Sequence, residues 1–209
     1  MIYFDHAATT PILPDVLDTY MKVAQNFFAN PSSAHPLGES ARQLLDQARV
    51  QFASILNFQA KDIFFTSSGT ESNNWVFQSI LDQQRVLHPQ ANRVVLSSIE
   101  HPSVSQQIQA LQAKGYQVDL IEVDGQGHLV LDHLKQLIDD QVLMVSTMAV
   151  NNEVGALQDL VGIAALLKDQ PHILWHVDGV QAVTSQLAVL NNPRVDLLSL
   201  SGHKFHAPR

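Results

Sequence analysis

Two hydrophobic periodicities alternate along this chain. Short, mostly near-continuous apolar runs occur at 63–66, 93–97, 118–123, 142–146, 173–177 and 195–200. They are too short for helices, and most lack polar alternation, as expected for strands covered on both faces. Between them, apolar positions step by threes and fours. The clearest case spans 37–56, where Ala41, Leu44, Leu45, Ala48, Phe52, Ile55 and Leu56 form one stripe. Further helices are predicted over 14–28, 71–82, 103–114, 131–139 and 160–168. This alternation predicts an α/β fold with a mostly parallel sheet flanked by helices.

In parallel sheets a ligand lies beyond the carboxyl ends of the strands, so the residues that follow each strand carry the candidate chemistry. Thr66-Ser67-Ser68-Gly69-Thr70-Glu71 follows the first strand and Ser97-Ser98-Ile99-Glu100-His101-Pro102 the second. Met148-Ala149-Val150-Asn151-Asn152-Glu153 follows the fourth, Asp178-Gly179-Val180-Gln181 the fifth, and Ser201-Gly202-His203-Lys204-Phe205-His206 the last. Only the strand at 118–123, closing on Asp124-Gly125, reads as a plain turn. Five of the six strand ends are polar and potentially reactive.

Composition narrows the partners. The net charge of −8 over 209 residues, with no basic stripe, argues against nucleic acid. No apolar run approaches a membrane span and no signal sequence precedes Asp5, so the expected setting is soluble and cytoplasmic. There is no cysteine, which excludes disulfides, thiolate metal sites and a cysteine nucleophile within this chain.

Lys204 lies just past an apolar run beside Gly202, Ser201, His203 and His206. Desolvation and a cationic neighbour lower a lysine's pKa, and a neutral amine attacks carbonyl carbon. The pattern fits a Schiff base with pyridoxal 5'-phosphate (PLP), although those six residues taken alone favour a snorkelling surface lysine. Gly69 and Thr70 open a predicted helix, where free N–H groups attract phosphate, although Thr70 could instead cap it. Asp178 ends a buried strand and needs a partner, which a protonated pyridine nitrogen, an N-cap or a salt bridge would each supply. His101 could stack on a flat ring and shuttle a proton, or be a structural histidine.

Seven stretches stand in a fixed order: Asp5-His6-Ala7-Ala8-Thr9-Thr10-Pro11, Asn30-Pro31-Ser32-Ser33-Ala34-His35, Ser68-Gly69-Thr70-Glu71-Ser72-Asn73, Glu100-His101, Val150-Asn151-Asn152-Glu153-Val154-Gly155, His176-Val177-Asp178 with Gln181, and Ser201-Gly202-His203-Lys204. In content and order they resemble the motifs of cysteine desulfurases of the NifS/IscS type, which are PLP enzymes of the class V aminotransferase group. The chain resembles that family from Asp5 onward. The resemblance implies the large domain of a fold-type I PLP-dependent transferase over 1–209, truncated before the small domain.

The resemblance further implies that Lys204 binds PLP covalently, that Asp178 faces the pyridine nitrogen and that Gln181 contacts the phenolic oxygen. His101 is the implied stacking and proton-transfer residue. Gly69, Thr70, Ser201 and His203 are implied phosphate ligands, and Asn152 contacts cofactor and substrate. The stretches 5–11 and 30–35 resemble pocket-shaping loops and receive no individual roles. Implied partners are L-cysteine, a sulfur-acceptor or iron–sulfur scaffold protein and, in a complete enzyme, a second copy of the chain.

Family members are about twice this long, so the small domain, its persulfide cysteine and the arginine for the substrate carboxylate fall outside the sequence. Little or no turnover is expected from the chain alone. The alternatives are another class V enzyme, such as a selenocysteine lyase or aminotransferase, and a non-catalytic binding remnant. A metal protein using His176-x-Asp178 or His203-x-x-His206 is a further reading, with weak spacing.

Overall fold

The computed structural model describes residues 2–208. The chain forms two compact units, one comprising Met1–Phe65 with Gly202–Arg209 and the other Thr66–Ser201. The second interrupts the first in sequence.

The first unit holds two long helices. Helix α1, Pro14–Asn26, starts on Pro14, whose missing N–H costs nothing at a first-turn position. It buries no residue, and Leu17, Tyr20 and Met21 are exposed. Helix α2, Pro36–Leu56, also starts on proline; His35 Nδ1 accepts from the Gly38 N–H at 3.2 Å, and Asn57 in the left-handed region ends the helix. Gly38 is required there, because a Cβ would lie 2.4 Å from the Ser33 carbonyl. A 3₁₀ turn at Ala60–Asp62 follows.

One sequence expectation fails here. Residues 63–66 do not form a strand. Ile63 is extended, but its carbonyl accepts from Arg49 Nε rather than from a ladder, and Phe64 and Phe65 are exposed. An apolar run becomes a strand only when a neighbour pairs with it.

The second unit is built on a sheet of five strands, all parallel. Helix α3, Gly69–Trp75, runs through a π turn at Val76–Ile80 into α4, Leu81–Leu87. Strand β1 is Arg93–Ser97; α5 (Pro102–Ser105) and α6 (Gln107–Ala113) lead to β2, Gln117–Ile121. Helix α7 (Leu131–Leu137) precedes β3, Val142–Met148, and α8 (Leu160–Leu167) precedes β4, Leu174–Asp178. Helix α9, Val183–Leu190, precedes β5, Leu197–Ser199. The strand order is β2-β1-β3-β4-β5, with parallel pairing throughout.

Helix α9 is not among the predicted helices, and Gln186 inside it has non-helical dihedrals. The predicted helix over 103–114 is instead two short helices meeting at Gln106.

The register decides what reaches the ligand edge. Met148 pairs with Asp178, and Asp178 with Ser199, so these three align at the carboxyl ends of β3, β4 and β5. Alternation puts Leu174, His176 and Asp178 on one face of β4. The core cluster on that side contains Val76, Phe77 and Leu81 from α3–α4 with Val94, Leu96, Val104, Leu111 and Met144. At the other end of the sheet, Arg93 ties β1 to Asp119 of β2 at 2.7 Å and to Asp139. Among the described residues no helix is long and apolar enough to cross a membrane.

Candidate active site

Within Thr66–Ser201 the predicted residues gather where the register leads. Asp178 is 5% exposed. One carboxylate oxygen accepts from the Val180 N–H at 3.0 Å and the other from Asn73 Nδ2 at 2.8 Å. Gly179 makes the turn between them; its N–H donates to the Ser199 carbonyl, and a Cβ there would stand 2.9 Å from Leu198 Cδ1.

Helix α3 begins beside this turn. Ser68 is its N-cap, accepting from the Glu71 N–H at 3.2 Å, while the Glu71 carboxylate accepts from the Ser67 N–H. The capping task therefore belongs to Ser68 and not to Thr70. The Gly69 and Thr70 N–H groups lie in the first turn, where helix geometry provides no acceptor. A Cβ on Gly69 would lie 3.0 Å from Val180 Cγ2 and 3.4 Å from Ser201 Cβ, so glycine is what lets the helix start approach Asp178's loop and Ser201.

His101 is the N-cap of α5, its Nδ1 accepting from the Ser103 N–H at 3.1 Å and lying 2.8 Å from Ser103 Oγ. Glu100 beside it is buried. Its Oε1 accepts from the Met148 N–H at 2.6 Å, whereas Oε2 has no hydrogen-bond partner. Burial, and then the neighbouring Asp178 charge, push the Glu100 carboxyl well above the usual carboxylate range.

A cavity of about 560 Å³ opens here, lined by Glu100, His101, Asn151, Asn152 and the loop at 125–127 among others. The two asparagines divide the work. Asn151 is buried and accepts from the Glu153 and Val154 N–H groups, while its amide donates to the Ile99 carbonyl. Asn152 has none of these structural tasks. The loop after β2, expected to be a plain turn, is a wall of the same cavity. Gln158 braces that wall, accepting from the Leu129 N–H and donating to the Gly127 carbonyl. No local signal in the sequence marks this loop, because the link to it is tertiary.

His176 does not take the metal-ligand role considered above. It is fully buried; Nδ1 lies 2.8 Å from Ser146 Oγ and Nε2 3.0 Å from Ser199 Oγ, so hydroxyls occupy both nitrogens. Ser199 continues to Ser72 at 2.8 Å. Burial lowers the His176 pKa to about 3. Gln181 follows the Asp178 turn and is half-buried.

Lys204 and His203 belong to the other unit, in a 3₁₀ turn at Gly202–Lys204. Lys204 Nζ donates to the Ala7 carbonyl. The His203 carbonyl accepts from the Thr10 N–H at 2.9 Å and from Thr10 Oγ1 at 2.8 Å, and His203 Nδ1 lies 3.1 Å from Thr9 Oγ1. Thr10 Oγ1 in turn accepts from the His206 N–H. The stretch 5–11, given no individual roles from sequence, is thus the anchor of the lysine turn.

Comparison with known proteins places this geometry in a lineage. The chain is 40% identical over 210 residues to a NifS/IcsS protein homolog of Lactobacillus delbrueckii subsp. bulgaricus, covering all of the chain and 54% of the relative. It is 34% identical over 208 residues to cysteine desulfurase IscS of Methanosarcina thermophila, covering all of the chain and 50% of the relative. A solved structure of SspA in complex with cysteine superposes with a TM-score of 0.89 at 30% identity, covering all of the chain and 59% of that protein. The chain spans about half the length of the curated relatives it matches. Residues 2–209 match the family described as aminotransferase class-V, and the chain belongs to that family.

Proposed function

We propose that this chain carries the cofactor-binding portion of a PLP-dependent cysteine desulfurase, which converts L-cysteine to L-alanine and passes the sulfur to an acceptor. The observation that carries the reading is the buried Asp178 carboxylate at the end of β4, linked through Asn73 and Ser103 to His101. The residues fit PLP in part: a buried carboxylate suits the ring nitrogen, and a helix start, whose first-turn N–H groups have no intrahelical acceptor, suits the phosphate, while His101 and Asn152 border a cavity whose lining does not include Asp178 or the helix start.

When bound, PLP supplies an electron-withdrawing ring that eases proton removal from the carbon bearing the substrate amine. Asp178 would face the ring nitrogen and favour its protonated form, and Gln181 would donate to the phenolic oxygen. Lys204 would supply the amine for a covalent link. Gly69, Thr70, Ser201 and His203 would hold the phosphate, and Asn152 would orient substrate. His101 carries a proton at Nε2, since the Ser103 N–H already points at Nδ1. This chain has no thiol to receive the sulfur, so turnover requires one from outside residues 1–209. The same reading implies a homodimer, a sulfur acceptor serving iron–sulfur assembly or thiolation, and a cytoplasmic setting.

The test is the visible spectrum of the purified chain after incubation with PLP, beside Lys204→Ala. A bound-cofactor band in the wild type that the variant lacks supports the reading. No band from a folded wild-type chain overturns it. Sulfide release from L-cysteine should stay at background in both; turnover by the chain alone would contradict the requirement for an outside thiol.

A further inference from the structure

Asn73 has an unusual set of partners. It is 1% exposed, and both of its amide hydrogens are used: Nδ2 donates to Asp178 Oδ2 at 2.8 Å and to Ser103 Oγ at 2.9 Å. The opposite amide orientation would set Oδ1 against the carboxylate, so charge fixes which end faces Asp178. Oδ1 is left buried with no hydrogen-bond partner. A buried acceptor left so is destabilising, and no hydrogen bond on the Oδ1 side offsets it. What the residue contributes must lie in its two donated bonds.

Those bonds direct the next group. Ser103 Oγ accepts from Asn73, which leaves its single hydrogen for His101 Nδ1 at 2.8 Å. The Ser103 N–H reaches the same nitrogen at 3.1 Å. With two donors aimed at it, Nδ1 is an acceptor, and the neutral imidazole carries its hydrogen on Nε2. A continuous path thus runs from the Asp178 carboxylate to the His101 ring through two buried side chains from α3 and α5.

We propose that Asn73 and Ser103 are positioning residues that hold Asp178 and His101 as one hydrogen-bonded unit, setting the anionic group and the proton-bearing Nε2 in fixed register for a single planar ring. The inference rests on the roles proposed above for Asp178 and His101. Neither bridging residue needs to touch the cofactor, and each acts through its neighbour.

The experiment is a pair of double-mutant cycles on the 209-residue chain, with circular dichroism of every variant as the folding control. In the ligand-free chain, the ring-nitrogen chemical shifts of His101 are followed by NMR with and without Asp178→Asn, in wild-type, Ser103→Ala and Asn73→Leu backgrounds. The expected result is that Asp178→Asn changes those shifts in the wild type and by half as much or less in both variants. An equal change in all three backgrounds overturns the proposal.

The second cycle measures PLP affinity by absorbance. Asn73→Leu should weaken binding about tenfold when Asp178 is present and less than twofold in the Asp178→Asn chain, because the two act as one unit. Equal losses in both would show a merely structural role and overturn the proposal. If PLP fails to bind the wild type while the NMR cycle behaves as expected, the cofactor reading fails and the bridge stands.

Discussion

His176 and Glu100 pull the stability of the sheet unit in opposite directions as pH changes. His176 has a folded pKa of about 3 against an ordinary 6.5, so the unfolded chain binds a proton that the folded chain refuses. Its contribution is present above pH 6.5 and is lost as pH falls toward 3, by about 1.4 kcal/mol per unit. We expect His176→Phe to flatten that slope in urea titrations at stepped pH, at the expense of the two serine hydrogen bonds. Glu100 has a raised pKa, so its contribution is present below the ordinary 4.5 and is lost as pH rises toward the folded value. Glu100→Gln should therefore be more stable than wild type at neutral pH, with the gap closing below pH 4.5; a variant less stable at neutral pH would contradict this. The strand-end position of Asp178 made it legible in the sequence, and so did the polar run around His101. Asn73 and Ser103 were not legible as partners, because the bonds joining them to Asp178 and to each other span 105 and 30 residues of separation.

Helix α3 shows how one small residue governs an element. A methyl on Gly69 meets Val180 Cγ2 at 3.0 Å and Ser201 at 3.4 Å, so Gly69→Ala must push a neighbour aside by a few tenths of an ångström. We expect a loss of about 1 kcal/mol in stability and a larger relative loss in PLP affinity, measured by thermal melts and absorbance titration. Unchanged affinity would remove the helix start from the phosphate site. Five of the six predicted strands are present; the fully buried β3 is the clearest, whereas β2 carries Asp119 and an exposed Leu120 and was read from a mixed run. The run at 63–66 misled for the complementary reason: apolarity reports a preference for burial, whereas a strand requires a paired neighbour. Helix α9 escaped notice although Val183, Leu187 and Leu190 step by four and three, because eight residues give that stepping only two turns in which to show itself.

Across the whole molecule, the lysine turn is held by residues from the other end of the sequence. Thr10 Oγ1 both donates to the His203 carbonyl and accepts from the His206 N–H. Thr10→Val keeps the shape and removes both bonds. Hydrogen exchange at residue 206 should accelerate about tenfold, the equivalent of roughly one hydrogen bond, while β1–β5 keep their protection; faster exchange throughout the sheet would contradict so local an anchor. This arrangement also sets a timetable. His203 leaves the ribosome 193 residues after Thr10, roughly 10–40 seconds later at ordinary elongation speeds. By then every strand of the sheet has been synthesised, Asp178 included. On the roles proposed above, the carboxylate that would pair with the ring nitrogen is therefore made before the amine that would bind the cofactor, and the lysine turn can close on Thr10 only at the end of synthesis.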